Sequence, residues 1–473
     1  MRKEFENKNI THEGQVFMIP RQPSVQEDFS AEEFRRRREQ VFAVIGAEAV
    51  AVLGGAAVTG AFDIFRQTND FYYLCGIEVP HAYLILDGRD HSSRLYLPPL
   101  DEKLERSEGS VLTADDSELA CQVTGVDVVS DYQHLFDDLL EAKTLWTPFL
   151  PGERRQMCRD TIAHAARVRA KDPWDDWQSR EERFVSRMKD QFTGGTLYDL
   201  SSVIDRLREV KSETEISLMR RAGSLTSDAV IRAMEVTQPG VFEYQLVAEA
   251  ERTFADGGSR GGAYRAILAC GDNIWNPHYF RNNAILEDGQ LVLMDYAPDW
   301  HYYTSDIGRM WPVNGSYDSR QRELYGFIVE YHKVLLSCIR PHVTAHQIME
   351  EAAEKMQTQV ESTQWSSVFF RDAARRTLSF TGHLSHGVGM AVHDAGDYRR
   401  IPLRPGVVFA LDPQMWVPEE QLYIRVEDTI VVTKDGIEVL TDSVPLELNQ
   451  VEKLIGIRMN EENKITTTSG SSN

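Results

Sequence analysis

Leu291-Val-Leu-Met-Asp295-Tyr-Ala-Pro298 and Val408-Phe-Ala-Leu-Asp412-Pro413 read as two copies of one strand, each ending its apolar run on an aspartate. Each opens just after a glycine, Gly289 and Gly406. Each is followed by a second acid, Asp306 in Tyr303-Thr-Ser-Asp306-Ile and Glu427 in Ile424-Arg-Val-Glu427-Asp428. Alternate residues of a strand point the same way, so a hairpin carries both acids of a pair on one face. Pro298, Asp299 and Trp300 supply the turn in the first copy, and Pro418-Glu-Glu-Gln421 a slightly longer one in the second. One acid on a strand is usually solvated surface. Four of them, in pairs and flanked by Leu, Val, Met, Ile and Phe, need protons or cations to neutralise them, because a buried anion is costly. The expected neutraliser is metal.

The duplication extends upstream. Pro239-Gly-Val241-Phe-Glu-Tyr-Gln245-Leu246-Val-Ala-Glu249-Ala250 lines up with Pro341-His-Val343-Thr-Ala-His-Gln347-Ile348-Met-Glu-Glu351-Ala352. Each is a Pro-punctuated turn into an amphipathic helix whose preceding segment is also helical. Ser212 with Glu215 three residues on predicts a capping box that starts the first long helix, running roughly to Met234. The unit is therefore helix, helix, strand hairpin, repeated about a pseudo-twofold axis with the acids in the crevice between the halves. Repeats also persist for packing alone; acids kept on apolar strands favour a site.

A chain of 473 residues suggests two domains. Residues 1–195 read as a mixed α/β domain with strands at Ala49-Val-Ala-Val-Leu53, Phe71-Tyr-Tyr-Leu74, Ala82-Tyr-Leu-Ile-Leu86 and Arg94-Leu-Tyr-Leu97. The charged stretch from Pro151 to Arg187 reads as a surface excursion. Residues 196–458 hold the repeated unit, and 459–473 form a polar tail expected to be disordered. The fold class is α/β, in the α+β sense, with the duplicated domain second.

No apolar run reaches membrane-span length and the first ten residues lack a secretory core, so the expected compartment is the cytoplasm. Five scattered cysteines in no Cys-x-x-Cys spacing exclude a disulfide framework or zinc ribbon. A net charge of -22 argues against nucleic acid and anionic membranes as partners.

Histidines complete the candidate site. His386 and His393 bracket Gly387-Val-Gly389-Met-Ala-Val392, and His278 stands in Asn276-Pro-His278-Tyr-Phe280. One histidine alone is more often structural than a ligand; three around four acids point to a site. Four carboxylates and an imidazole without thiolate suit Mn²⁺ or a similar divalent ion. Two ions sharing carboxylates would ionise a bridging water near neutral pH, giving a hydroxide able to hydrolyse an amide, ester or phosphoester.

These residues resemble the pita-bread metallopeptidases, which include Xaa-Pro aminopeptidase, prolidase, methionine aminopeptidase and creatinase. Pro277-His278-Tyr279, Leu293-Met-Asp295, Ser305-Asp306-Ile307-Gly-Arg309, Ser385-His386-Gly-Val-Gly389, Val392-His393-Asp394 and Arg425-Val-Glu427-Asp428 match that family's catalytic motifs in order. Phe65-Arg-Gln67-Thr-Asn-Asp70-Phe71-Tyr72-Tyr-Leu-Cys-Gly76 resembles the signature of its creatinase-like N-terminal domain. The resemblance implies metal ligands Asp295, Asp306, His386, Asp412 and Glu427 holding two divalent ions, Mn²⁺ foremost. It implies His278 and His393 beside the substrate, Arg425 orienting the carboxylates, and Asp412 as proton acceptor. The implied activity is release of an N-terminal residue ahead of proline, by a homo-oligomer (dimer or tetramer) acting on peptides with proline in second position.

This chain departs from the family pattern in three places. Asp412-Pro413-Gln414-Met415-Trp416 stands where members have Glu-Pro-Gly-x-Tyr, shortening the acid by one methylene, about 1.5 Å of reach. Gly382-His383-Leu-Ser-His386 replaces His-Gly-x-x-His, and Met294-Asp295-Tyr296-Ala297 replaces the small residues after the first acid. Three alternatives stay open: a prolidase restricted to dipeptides, a member drifted to a non-peptide substrate, and a binding module without catalysis. The last would lack the ligand set that this chain keeps.

Overall fold

The structure is a computed structural model that describes residues 10–12, 15–17, 24–57, 64–132, 135, 139, 142–192, 195–399 and 401–455. The tail 459–473 lies outside the described residues. The chain divides into two units. One spans residues 1–152 and 178–203, the other 153–177 and 204–473. Residues 153–177, read from sequence as part of the first domain, group with the second unit.

The first unit is built on a mixed six-stranded sheet of Ala49–Gly54 (β1), Tyr83–Asp87 (β2), Ser92–Tyr96 (β3), Val128–Ser130 (β4), Thr144–Thr147 (β5) and Thr196–Asp199 (β6), in the order β4-β3-β2-β1-β5-β6. Val50, Val52, Ile85 and Leu145 form its core with Tyr96 and Met188. Helix Ala31–Ile45 (α1) starts at Ser30, whose hydroxyl accepts from the Glu33 N–H, and buries Phe34, Val41, Phe42 and Ile45. The stretch Phe71–Leu74, expected as a strand, lies instead in helix Asn69–Cys75 (α2). Every residue of that helix is buried, so its apolar run carries no periodicity to separate helix from strand. Gly76 ends it at φ 68°, where a Cβ would lie 2.4 Å from the Phe34 ring.

In the second unit, Arg159–Arg169 (α3) precedes the duplicated architecture. Its first half comprises Glu213–Val236 (α4), Glu243–Asp256 (α5), Ile267–Cys270 (β7), Leu291–Asp295 (β8) and Ile307–Pro312 (β9). The Ser212–Glu215 capping box forms as expected. Its second half comprises Ser319–Cys338 (α6), Ala345–Ser362 (α7), Val368–Ser379 (α8), Val408–Leu411 (β10), Gln414–Val417 (β11), Leu422–Arg425 (β12), Glu427–Val432 (β13) and Ile437–Val439 (β14).

One sheet joins the halves in the order β10-β13-β9-β8-β7, with β14 on β13. Strands β9 and β13 meet antiparallel at its centre, pairing Ile307 with Asp428 and Gly308 with Glu427. The link from Asp412 to Glu427 is more than the single turn read from sequence. It contains a separate hairpin, β11 against β12, closed by Pro418–Glu420.

Candidate metal centre

The sheet delivers the four acids to one place. Asp295 closes β8, Asp306 immediately precedes β9, Asp412 follows β10, and Glu427 opens β13. The register of β9 on β13 brings Asp306 and Glu427 together where the halves meet. Gly308 permits the approach, since a Cβ there would fall 3.0 Å from both the Arg425 Nε and the Glu427 Cβ. Asp295, Asp306 and Glu427 are 4%, 2% and 0% exposed, and the Asp412 side chain is equally buried.

Fixed donors hold these carboxylates. The Tyr264 hydroxyl lies 2.7 Å from Asp295 Oδ1 and 2.8 Å from Asp306 Oδ1, sharing its proton between them. Arg425 donates to Asp295 Oδ2 at 3.0 Å, to Asp412 Oδ1 at 3.2 Å and to Glu427 Oε2. The Gln414 amide donates to Asp412 Oδ2, and Thr429 ties down the Asp306 backbone, accepting from its N–H at 2.6 Å. Tyr264 carries no motif and was not readable from sequence; it sits beside the glycine pair Gly261-Gly262, which is the only local signal.

His386 Nε2 stands 3.4 Å from Asp306 Oδ2 and 3.9 Å from Glu427 Oε1. Its Nδ1 lies 3.2 Å from the Gly387 carbonyl. A proton on Nδ1 donated there leaves the Nε2 lone pair facing the acids, the orientation a metal-binding histidine needs. The rings of His386 and His393 are 4.0 Å apart. His393 Nδ1 meets Asp160 Oδ2 at 2.5 Å. His278 is near enough to Asp295, Arg425 and His393 for their charges to act on it; partial burial lowers its pKa first. His383 lies on the Asp412 side, walling one cavity with it, edge-on to Phe380 at 5.1 Å.

Burial drives the electrostatics. It lifts the carboxyls of Asp306 and Glu427 well above the usual range, and that of Asp412 above it, with Asp295 adding repulsion to all three and Arg425 opposing. Burial and His393 push the His386 imidazole down to about 3. The result is a neutral imidazole facing acids that resist sharing one buried space.

A cation fits this donor set. Ligand atoms of Asp306, His386 and Glu427 all lie within 4.8 Å of one another, and Glu427 Oε1 is buried with no hydrogen-bond donor. A buried acceptor without a donor is costly, and a divalent ion beside it would satisfy it and relieve the repulsion. Beside the acids lies a cavity of about 480 Å³ walled by Asp412, His383, Trp416, Phe380, Leu335 and Met349, among others.

Comparison with known proteins places the chain among metallopeptidases. The profile of metallopeptidase family M24 matches residues 217–434, and that of the aminopeptidase P N-terminal domain matches residues 34–146. The chain is 30% identical to the Xaa-Pro aminopeptidase of Escherichia coli, over 90% of this chain and 98% of that one. It is likewise 30% identical to Xaa-Pro aminopeptidase 3 of Mus musculus, over 89% of this chain and 85% of the relative. Among solved structures, aminopeptidase P from Escherichia coli with the inhibitor Pro-Leu is similar at a TM-score of 0.74 and 28% identity, covering 92% of this chain and 100% of that one.

Proposed function

This chain belongs to metallopeptidase family M24, and we propose that it is a metal-dependent Xaa-Pro aminopeptidase, releasing an N-terminal residue ahead of proline. The observation that carries the reading is four buried acids from two duplicated strand pairs tied together by Tyr264 and Arg425, with His386 facing Asp306 and Glu427 and with Glu427 Oε1 left without a donor. Asp295, Asp306, His386, Asp412 and Glu427 would hold two divalent ions. The carboxylate-rich, thiolate-free set favours Mn²⁺. When bound, such ions lower the pKa of a water so that it attacks near neutral pH, and they polarise the scissile carbonyl.

The chain's own groups do the rest. Tyr264 and Arg425 hold the carboxylates in place from behind. Asp412 accepts the proton lost by the attacking water and passes it to the proline nitrogen as that nitrogen leaves. His278 and His393 hydrogen-bond the peptide and steady the oxyanion. The cavity beside Asp412 receives the side chain of the departing residue, and its walls of Trp416, Phe380, Leu335 and Met349 suit a bulky apolar one.

The five cysteines are all free among the described residues, which supports a reducing, cytoplasmic setting. No helix among the described residues is long and apolar enough to cross a membrane. We also place the working enzyme as a homo-oligomer, on family resemblance, to be checked by sedimentation.

The test is metal content and hydrolysis of Xaa-Pro dipeptides and longer Xaa-Pro peptides with added Mn²⁺. Cleavage of the longer peptides, with two ions per chain, is expected. Cleavage of dipeptides alone would make the enzyme a prolidase, and a metal-loaded protein that cleaves none would end the peptidase reading.

A further inference from the structure

Residues 153–177 lie outside both family matches yet fold with the catalytic unit. Helix α3 within them buries none of its residues, so core packing does not account for its place. Its first turn instead converges on the loop that carries His393. Arg155 donates to the Arg260 carbonyl at 2.9 Å and the Gln156 N–H to the Ala263 carbonyl at 3.1 Å, fastening the segment beside Tyr264. Asp160 then meets His393 Nδ1 at 2.5 Å through Oδ2, while its Oδ1 accepts the Thr161 N–H at 2.7 Å.

Both partners of this contact are anchored from behind. On the acceptor side, Thr161 closes the helix cap onto Cys158, and Arg159 pairs with Asp205. On the donor side, Asp394, the neighbour of His393, is held by Arg208 at 2.5 Å and Lys211 at 3.0 Å. Arg208 also reaches Glu153 at 2.7 Å, closing the circuit between segment and loop. Glu153, Arg208 and Asp394 side chains are each 1% exposed, so this framework is rigid, whereas Asp160 and His393 remain 55% and 32% exposed. An ion pair that open adds little to stability, and the framework stands without it.

We propose that Asp160 is the positioning residue of His393. Its carboxylate fixes the proton on Nδ1 and turns Nε2 toward the peptide, the role an orienting carboxylate plays behind any working imidazole. The proposal rests on the reading that His393 faces substrate. It assigns a task to a segment that neither family match covers, whose helix delivers one acid to one histidine.

The experiment uses the full chain loaded with zinc, which is diamagnetic, and ¹⁵N-histidine NMR, with the His393 signal identified by its loss in His393→Ala. Wild type is expected to show the Nδ1–H tautomer with a strongly deshielded proton, and Asp160→Asn to lose it. With Xaa-Pro peptides, Asp160→Asn lowers kcat by about 10- to 100-fold with little change in KM, Asp160→Glu recovers part of the loss, and metal content and melting temperature stay at wild-type values. In a His393→Ala background, Asp160→Asn has no further effect. An unchanged tautomer, or an equal loss in both backgrounds, overturns the proposal. Should wild type cleave no Xaa-Pro peptide, the aminopeptidase reading fails while the NMR result still decides this one.

Discussion

The two halves of the catalytic unit share a plan and differ in how they hold their acids. In both halves the two acid-bearing strands pair directly, β8 with β9 and β10 with β13; in the first, Asp295 and Asp306 are bound to each other through the Tyr264 hydroxyl. In the second half the hairpin of β11 and β12 is inserted between the corresponding acids. It contributes Gln414 and Arg425, both on Asp412, and Trp416, on the cavity wall. Where the first half has Ile307 after its second acid, the other has Asp428, and these two residues are paired across the central join. A duplicated site can thus keep its acids in both copies while only the second inserts a hairpin whose side chains reach its own acid and the neighbouring cavity. The first half is the fixed wall of the site and the second its adjustable one.

The comparison breaks first at its shared feature. Asp306→Asn keeps the volume and removes the charge of a proposed ligand from the fixed wall, so the expected loss is on the order of 10³-fold in kcat/KM, several kcal/mol of transition-state stabilisation. Bound metal falls in parallel, read by elemental analysis after dialysis. Activity within tenfold of wild type would show that the first half is not the fixed wall.

Asp428 offers a cleaner, smaller test of the asymmetry. Burial pushes its carboxyl up, but Arg309 at 2.7 Å and His332 at 2.8 Å outweigh that and hold it down at about 2, against an ordinary 3.8. A depressed carboxyl stabilises the fold above its unfolded pKa, and that contribution disappears as pH falls from about 3.8 through about 2. The amount is about 2 kcal/mol. Urea unfolding across that window should show a steeper loss of stability in wild type than in Asp428→Asn. The variant begins lower, because Arg309 is left buried without its partner. Parallel pH profiles would remove Asp428 from the account.

What the sequence disclosed follows the same division. Asp295 and Asp412 stood out in the sequence because each ends an apolar run of strand length, and the capping box at Ser212 announced α4 without ambiguity. The α2 helix was not, because all of its residues are buried and a wholly apolar run has no period. The β11–β12 hairpin was read as a mere turn, since Gln414–Val417 and Leu422–Arg425 are too short to stand out beside Pro418. Tyr264 belongs to no pattern, and Asp160 opens a helix with no apolar stripe, so only the folded chain shows what either touches.

The adjustable wall is tested at Asp412. Lengthening it to glutamate restores the acid found in relatives of this family and adds about 1.5 Å of reach. Here, however, both carboxylate oxygens are already taken, one by the Gln414 amide and one by Arg425, which also holds Asp295 and Glu427. A longer acid therefore presses on the guanidinium that orients two other ligands, and Asp412→Glu alone should lose about tenfold in kcat/KM. Adding Gln414→Gly removes the competing donor and lets the carboxylate back toward the cavity, so the double variant should outperform the single one. This is the non-additivity expected of residues in contact. Asp295→Glu, at a carboxylate held by Tyr264 and Arg425 with no amide to remove, should find no comparable rescue. A gain of activity in Asp412→Glu by itself would mean that the short acid is a defect rather than the residue around which Gln414, Arg425 and Trp416 are arranged.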